Sequence, residues 1–147
     1  NIDIPDGQDS NKTTLTFPWP AKGEDGYGED FIKSVEVSLW ITHSYVSELE
    51  AYLTYEGRRF ALVKGDGSET ADFGEDGAYF TIADYGVCIA SQYEEPGNTK
   101  VYMPDSQTFE EVFENMVPYG TWELEVMDTV SEDAGVLKYF EINIETT

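Results

Sequence analysis

The chain has 147 residues but only one cysteine, Cys88, and one histidine, His43. A single cysteine excludes an internal disulfide. Its setting, Val87-Cys88-Ile89-Ala90, suits a buried structural thiol better than a reactive one. A single histidine, at the end of an apolar alternating segment, leaves little from which to build a nucleophile and its base. There is no Gly-x-Ser-x-Gly elbow, no phosphate-cradling glycine loop and no Cys/His cluster at zinc spacing. Basic residues are also scarce. Eight Lys and Arg face thirty Asp and Glu, for a net charge of −22. The basic footprint that phosphate backbones require is missing, which argues against nucleic acid as a partner, and anionic membrane surfaces are disfavoured for the same reason. No apolar run is long enough to span a bilayer and no signal peptide is visible, so membrane insertion is not expected. The first residue is Asn1 rather than Met. The expectation is one domain over residues 1–147, a monomer, forming a mature product or a fragment excised from a longer protein.

Aromatic residues are plentiful, at 14% of the chain, and this separates it from disordered acidic sequences. Most patterned segments have a period of two. Val35, Val37, Leu39 and Ile41 alternate with Glu36, Ser38, Trp40 and Thr42, which predicts a strand with the first set facing a core. Leu49, Ala51, Leu53 and Tyr55 repeat the pattern. Glu56-Gly57 then predicts a tight turn into Phe60–Val63, because glycine accepts positive φ. Further strands are predicted at Thr14–Phe17, Tyr79–Ile82, Val87–Ala90 and from Val101. Trp122, Leu124 and Val126, followed by Phe140, Ile142 and Ile144, predict a closing hairpin around the oxygen-rich loop Asp128–Gly135. One segment differs: Phe109, Val112, Phe113 and Met116 follow helical spacing. They predict a helix of two to three turns, capped by Asp105 or Ser106 and lying over one end of the fold. Short strands at regular spacing predict an all-β sandwich with one short helix.

The acids have two readings. Most suit a solvated surface, as in a saline habitat. A few at loop positions suit calcium, which takes roughly six to eight oxygen ligands. Asp128, Glu132 and Asp133 share one loop, Asp84 lies between two predicted strands, and Glu48 precedes a third. No stretch follows the EF-hand pattern. Paired carboxylates of the glycosidase kind are uninformative among thirty acids.

Two stretches carry a resemblance. Ile41-Thr42-His43-Ser44-Tyr45, with Glu48-Leu49 after it, is one. Gly120-Thr121-Trp122-Glu123-Leu124-Glu125-Val126, Asp128, Asp133-Ala134-Gly135-Val136-Leu137 and Phe140-Glu141-Ile142-Asn143-Ile144 form the other. Together with Ile4-Pro5-Asp6, they resemble the P (Homo B) domain that accompanies subtilisin-like, or proprotein convertase, serine proteases. Departures are Glu48 for the family's Asp, Tyr55-Glu56-Gly57 for its Pro-x-Gly, Phe140 or Tyr139 for its last Trp, and Asp84-Tyr85-Gly86 for its Asp-Glu-Ala. The resemblance implies a jelly-roll β-sandwich of the galactose-binding-like kind. It implies a domain without catalytic residues that stabilises or positions a neighbouring catalytic domain, in extracellular or secreted proteins, with structural calcium. Asp84, Asp128, Asp133 and Glu48 are the calcium candidates it implies. The alternative is a carbohydrate- or protein-binding module, with Trp19, Trp40 and several tyrosines as a stacking platform.

Overall fold

The computed structural model describes residues 2–4, 10–24, 30–42, 49–64, 77–86, 101–104, 107–128 and 135–147. Two sheets enclose one apolar core. Strands β1 (Ile2–Ile4), β9 (Gly135–Thr146), β3 (Ile32–Thr42), β6 (Ala78–Ile82) and β7 (Val101–Tyr102) form the first, in that spatial order. Strands β2 (Ser10–Phe17), β8 (Gly120–Asp128), β4 (Leu49–Tyr55) and β5 (Arg58–Lys64) form the second. All pairings are antiparallel except β6 with β7.

The period of two places the core as expected. Val35, Val37, Leu39 and Ile41 of β3 are buried, as are Leu49, Ala51, Leu53 and Tyr55 of β4 and Trp122, Leu124 and Val126 of β8. Burial of such side chains is worth about 1.5–3 kcal/mol each. The two sets face one another as the inner faces of a sandwich. β4 and β5 meet in a two-residue turn in which Glu56 (φ 50°) and Gly57 (φ 74°) both take positive φ. That is the conformation whose twist matches a hairpin.

Four expectations need correction or extension. β8 and β9 are not a hairpin. β8 pairs with β2 and β4 in one sheet, whereas β9 pairs with β1 and β3 in the other. Both strands carry an apolar face, and each face is covered from across the core rather than from alongside. Alternation fixes which face is buried but not which strand lies next door. The first strand of the four-stranded sheet runs over Ser10–Phe17 rather than Thr14–Phe17, and β1 precedes it. The helix α1 (Phe109–Phe113) has only five residues, shorter than two turns, because Asn115 adopts φ 65° and the chain leaves to pair with the start of β3. Its N-cap is Thr108, whose Oγ1 accepts from the Glu111 N–H at 3.1 Å. Asp105 and Ser106, like the expected strand Val87–Ala90 with Cys88, lie outside the described residues.

The helix covers one end of the sandwich. Phe109 and Phe113 are buried against Phe60 and Trp122. Beyond it, the Asn115 N–H donates to the Ile32 carbonyl (3.1 Å) and the Ile32 N–H to the Met116 carbonyl (2.7 Å).

Candidate functional site

Of the four calcium candidates the structure describes two, Asp84 and Asp128, and they lie in different places. At the helix end, Asp84 follows β6. Its Oδ1 accepts from the Phe109 N–H at 2.6 Å and its Oδ2 from the Glu110 N–H at 3.0 Å. With Thr108 serving Glu111, the first three N–H groups of α1 are all satisfied, two of them by a residue distant in sequence. A carboxylate here also complements the positive end of the helix dipole. A cation at Asp84 would share both oxygens with these donors.

Asp128 lies at the opposite end. It closes β8 on the core-facing side, directly across from Leu49, and is fully buried. Among the described residues it is the one buried carboxyl side chain. Charged groups are rarely held in such a place without partners, since desolvation costs several kcal/mol per ion. Three connections leave the described strands at this same end: 43–48 from Thr42 to Leu49, 129–134 from Asp128 to Gly135, and 65–76 from Lys64 to Gly77. They contain Glu48, Asp133 and His43, all outside the described residues. Asp128 is thus the last described residue before 129–134 and faces Leu49, the first described residue after 43–48, while Asp84 stands apart. A buried carboxylate at the root of oxygen-rich loops fits the hard-donor chemistry of calcium. Among the described residues no three His, Cys, Asp or Glu side chains converge on a single point.

The helix end also holds a brace that explains the Gly120-Thr121-Trp122 motif. The rings of Tyr55 and Trp122 stack face to face, 3.9 Å apart. The Trp122 Nε1–H donates to the Pro118 carbonyl at 3.0 Å. The Tyr55 hydroxyl lies 2.6 Å and 2.7 Å from the Val117 and Tyr119 carbonyls, and its one proton is shared between them. Burial, and then the negative charge of Glu56, push this phenol above its ordinary range. Gly120 takes φ 138°, and a β-carbon there would come within 3.3 Å of the Tyr55 ring. Beside the brace, Trp19, Tyr55, Glu56, Met116 and Val117 line an open apolar recess of about 260 Å³. Trp19 is two-thirds exposed and rests on Tyr119, whose hydroxyl donates to Asp30.

Trp19 and Trp40 do not form one platform. Trp40 lies on the outward face of the five-stranded sheet, where β3 pairs it with Tyr79 on one side and Tyr139 on the other. Phe140 pairs with Leu39 and packs against the core, so it, and not Tyr139, occupies the inward place of the motif's final aromatic residue. None of the described helices is long and apolar enough to cross a membrane.

The comparisons with known proteins agree with this architecture. No curated protein matches the sequence. Two solved structures of the serine protease of Aeromonas sobria, one of them in complex with a chaperone, are similar in fold. Their TM-scores are 0.57 and 0.56, with 15% identity over 97% of this chain. The chain spans 24% of the length of those proteases. A family model for the proprotein convertase P domain matches residues 32–144, from the first residue of β3 to near the end of β9. The chain belongs to the proprotein convertase P-domain family.

Proposed function

We propose that the chain is a non-catalytic accessory domain of a secreted subtilisin-like serine protease, and that it stabilises or positions the neighbouring catalytic domain. The observation that carries this reading is the family match over residues 32–144. The fold of Aeromonas sobria serine protease supports it, because there a similar domain is 24% of a longer chain. The surface facing the catalytic domain would draw on the helix end, where Trp19 and the adjoining recess expose apolar area beside a rigid brace. Calcium would bind at the opposite end, held by Asp128 with Glu48 and Asp133 from the adjoining loops, and would tie those loops to the sheet. Asp84 is the remaining candidate, on the helix side. The domain itself would act as a monomer.

The test lies in the parent protein. The coding sequence flanking the chain should encode a subtilisin-like domain, and that domain should lose thermal stability when residues 1–147 are deleted. A parent without a protease domain, or a protease whose unfolding midpoint ignores the deletion, would sink the reading.

A further inference from the structure

The outward faces of the two sheets are built differently. On the four-stranded sheet, charges are matched within the face. Lys12 Nζ lies 3.7 Å from Glu123 and 3.8 Å from Glu125, and Arg59 bonds Glu125 at 2.6 Å while stacking 3.6 Å over the Tyr52 ring. The five-stranded sheet instead shows a row of rings. Tyr79, Trp40 and Tyr139 are direct cross-strand partners on β6, β3 and β9, and they are 44%, 38% and 47% exposed. The Tyr79 and Tyr139 rings lie within 25° of parallel, with centroids 6.5 Å apart. Lys138 reaches over Trp40 at 4.8 Å, so the two tyrosines offer the more open surfaces.

Polar groups border this row on one side. In the next register row Ser38 and Thr81 join their hydroxyls at 2.8 Å, and Glu141 stands beside them. Glu141 accepts the Tyr139 hydroxyl at 2.8 Å and the Asn143 amide at 2.5 Å, one on each oxygen. These two bonds, the Asn143 amide first, hold its carboxyl below the ordinary range, so it is an acceptor at neutral pH. One row further, Glu36 accepts from the hydroxyl of Tyr85, itself 66% exposed.

Three adjacent exposed rings edged by carboxylates, an amide and hydroxyls select a particular ligand chemistry. A net charge of −22 repels anions. A protein partner would have to strip water from Glu36, Glu141 and Lys138 and leave them imperfectly paired. A neutral sugar meets neither obstacle. The C–H face of a pyranose lies on an aromatic ring, and its hydroxyls both donate to carboxylates and accept from amides. Tyrosine and tryptophan suit such a surface, because each is apolar in body and polar at one edge. The two end rings have centroids 6.5 Å apart, so the row accommodates about one sugar unit laid across the strands.

We infer that the row Tyr79–Trp40–Tyr139 is a binding platform for a neutral glycan, which stacks on the rings and places its hydroxyls against Glu141 and Asn143. This site is on a sheet face and does not depend on which protein carries the chain. The test uses the 147-residue chain with microcrystalline cellulose and chitin as solid probes, and gel retardation in soluble xylan and mixed-linkage β-glucan. Retention on at least one probe is expected. The double variant Tyr79→Ala/Tyr139→Ala should weaken it at least about tenfold, while Tyr79→Phe/Tyr139→Phe keeps most of it, with unfolding midpoints showing that all three proteins are folded. Retention on none of the four probes overturns the proposal, as does equal retention of the wild type and the double alanine variant. A dimer in sedimentation that the alanine variant abolishes would assign the row to a second copy of the chain, and would overturn it too.

Discussion

The indole of Trp122 lies flat on the ring of Tyr55, with planes 2° from parallel and centroids 3.9 Å apart. The pair joins neighbouring strands of one sheet and turns both polar edges toward the same stretch of backbone. Tyr55 meets the carbonyls of Val117 and Tyr119, and Trp122 meets that of Pro118. Carbonyls in a segment with no strand partner would otherwise need water. Two aromatic side chains thus secure the chain between the helix and β8, and Gly120 leaves room for them.

Truncating the brace should separate its two contributions. Tyr55→Phe keeps the stack but leaves two carbonyls without the hydroxyl, and should cost about 1–3 kcal/mol. Trp122→Ala removes a fully buried ring from the core and should cost about 3–5 kcal/mol. Urea unfolding of both variants checks the order. A Tyr55→Phe variant as stable as wild type would mean that water replaces the hydroxyl.

Gly86 should be more sensitive than the turn glycine Gly57. A β-carbon at Gly86 would fall 2.1 Å from the backbone carbon of Tyr102 and 2.3 Å from the Met103 nitrogen, where β7 passes beside the turn after β6. Backbone cannot yield as a side-chain tip can, so Gly86→Ala is expected to cost at least about 3 kcal/mol. At Gly57 a β-carbon meets nothing, and only the positive φ opposes alanine. That substitution should cost about 1 kcal/mol. Comparing the two midpoints in urea decides it.

Local pattern made much of this fold legible. Alternation in Val35–Ile41 and Leu49–Tyr55 predicted both core faces, and Glu56-Gly57 predicted the turn between β4 and β5. What it could not convey was which strand neighbours which. Trp122 to Val126 and Phe140 to Ile144 read equally well as a hairpin or as two facing strands, because both arrangements bury the same side chains. The role of Asp84 was hidden for a related reason. Its helix begins 25 residues later, and nothing between them signals the contact. Trp40 was recognisable as outward-facing, but its flanking by Tyr79 and Tyr139 follows only from the register of three strands. Of the calcium candidates, the sequence could name the acids but not show that Asp128 and Asp84 occupy opposite ends.

The cap supplied by Asp84 should be measurable apart from any metal. Asp84→Ala leaves the Phe109 and Glu110 N–H groups without their acceptor, and in chelator should lower stability by about 0.5–2 kcal/mol. Asp84→Asn, which can still accept one of the two bonds, should lose less. Equal loss in the two variants would mean that charge at the helix end, rather than the hydrogen bonds, is what matters.

Alkaline pH should loosen the four-stranded sheet. Burial, followed by the hydrogen bond to Glu50, pushes the Tyr52 phenol up to about 12. Its pKa in the unfolded chain is the ordinary 10.0. The unfolded chain therefore gives up this proton first. The stabilisation is fully present below about pH 10 and is lost as pH rises through about 12. Tyr55, also raised by burial, acts in the same direction. Denaturation midpoints should fall across this window, and Tyr52→Phe should flatten the fall. An unchanged slope in that variant would place the alkaline sensitivity on other phenols.

Calcium should act at the Asp128 end. A ligand that binds only the folded chain stabilises it by mass action, about 2.7 kcal/mol at a hundredfold excess over Kd. For a domain of this size that raises the melting midpoint by about 5–10 °C. The melt begins in chelator and continues in rising calcium at high fixed salt, with magnesium in parallel to separate coordination from screening. Asp128→Asn preserves the buried volume but removes the charge, and Asp133→Ala removes a donor from the adjoining loop. Each should abolish most of the calcium-dependent rise, while Asp84→Asn should leave it in place. If magnesium matches calcium, the acids act as general surface charge. If Asp84→Asn alone removes the response, the ion sits beside the helix, and Asp128 anchors its loops without metal.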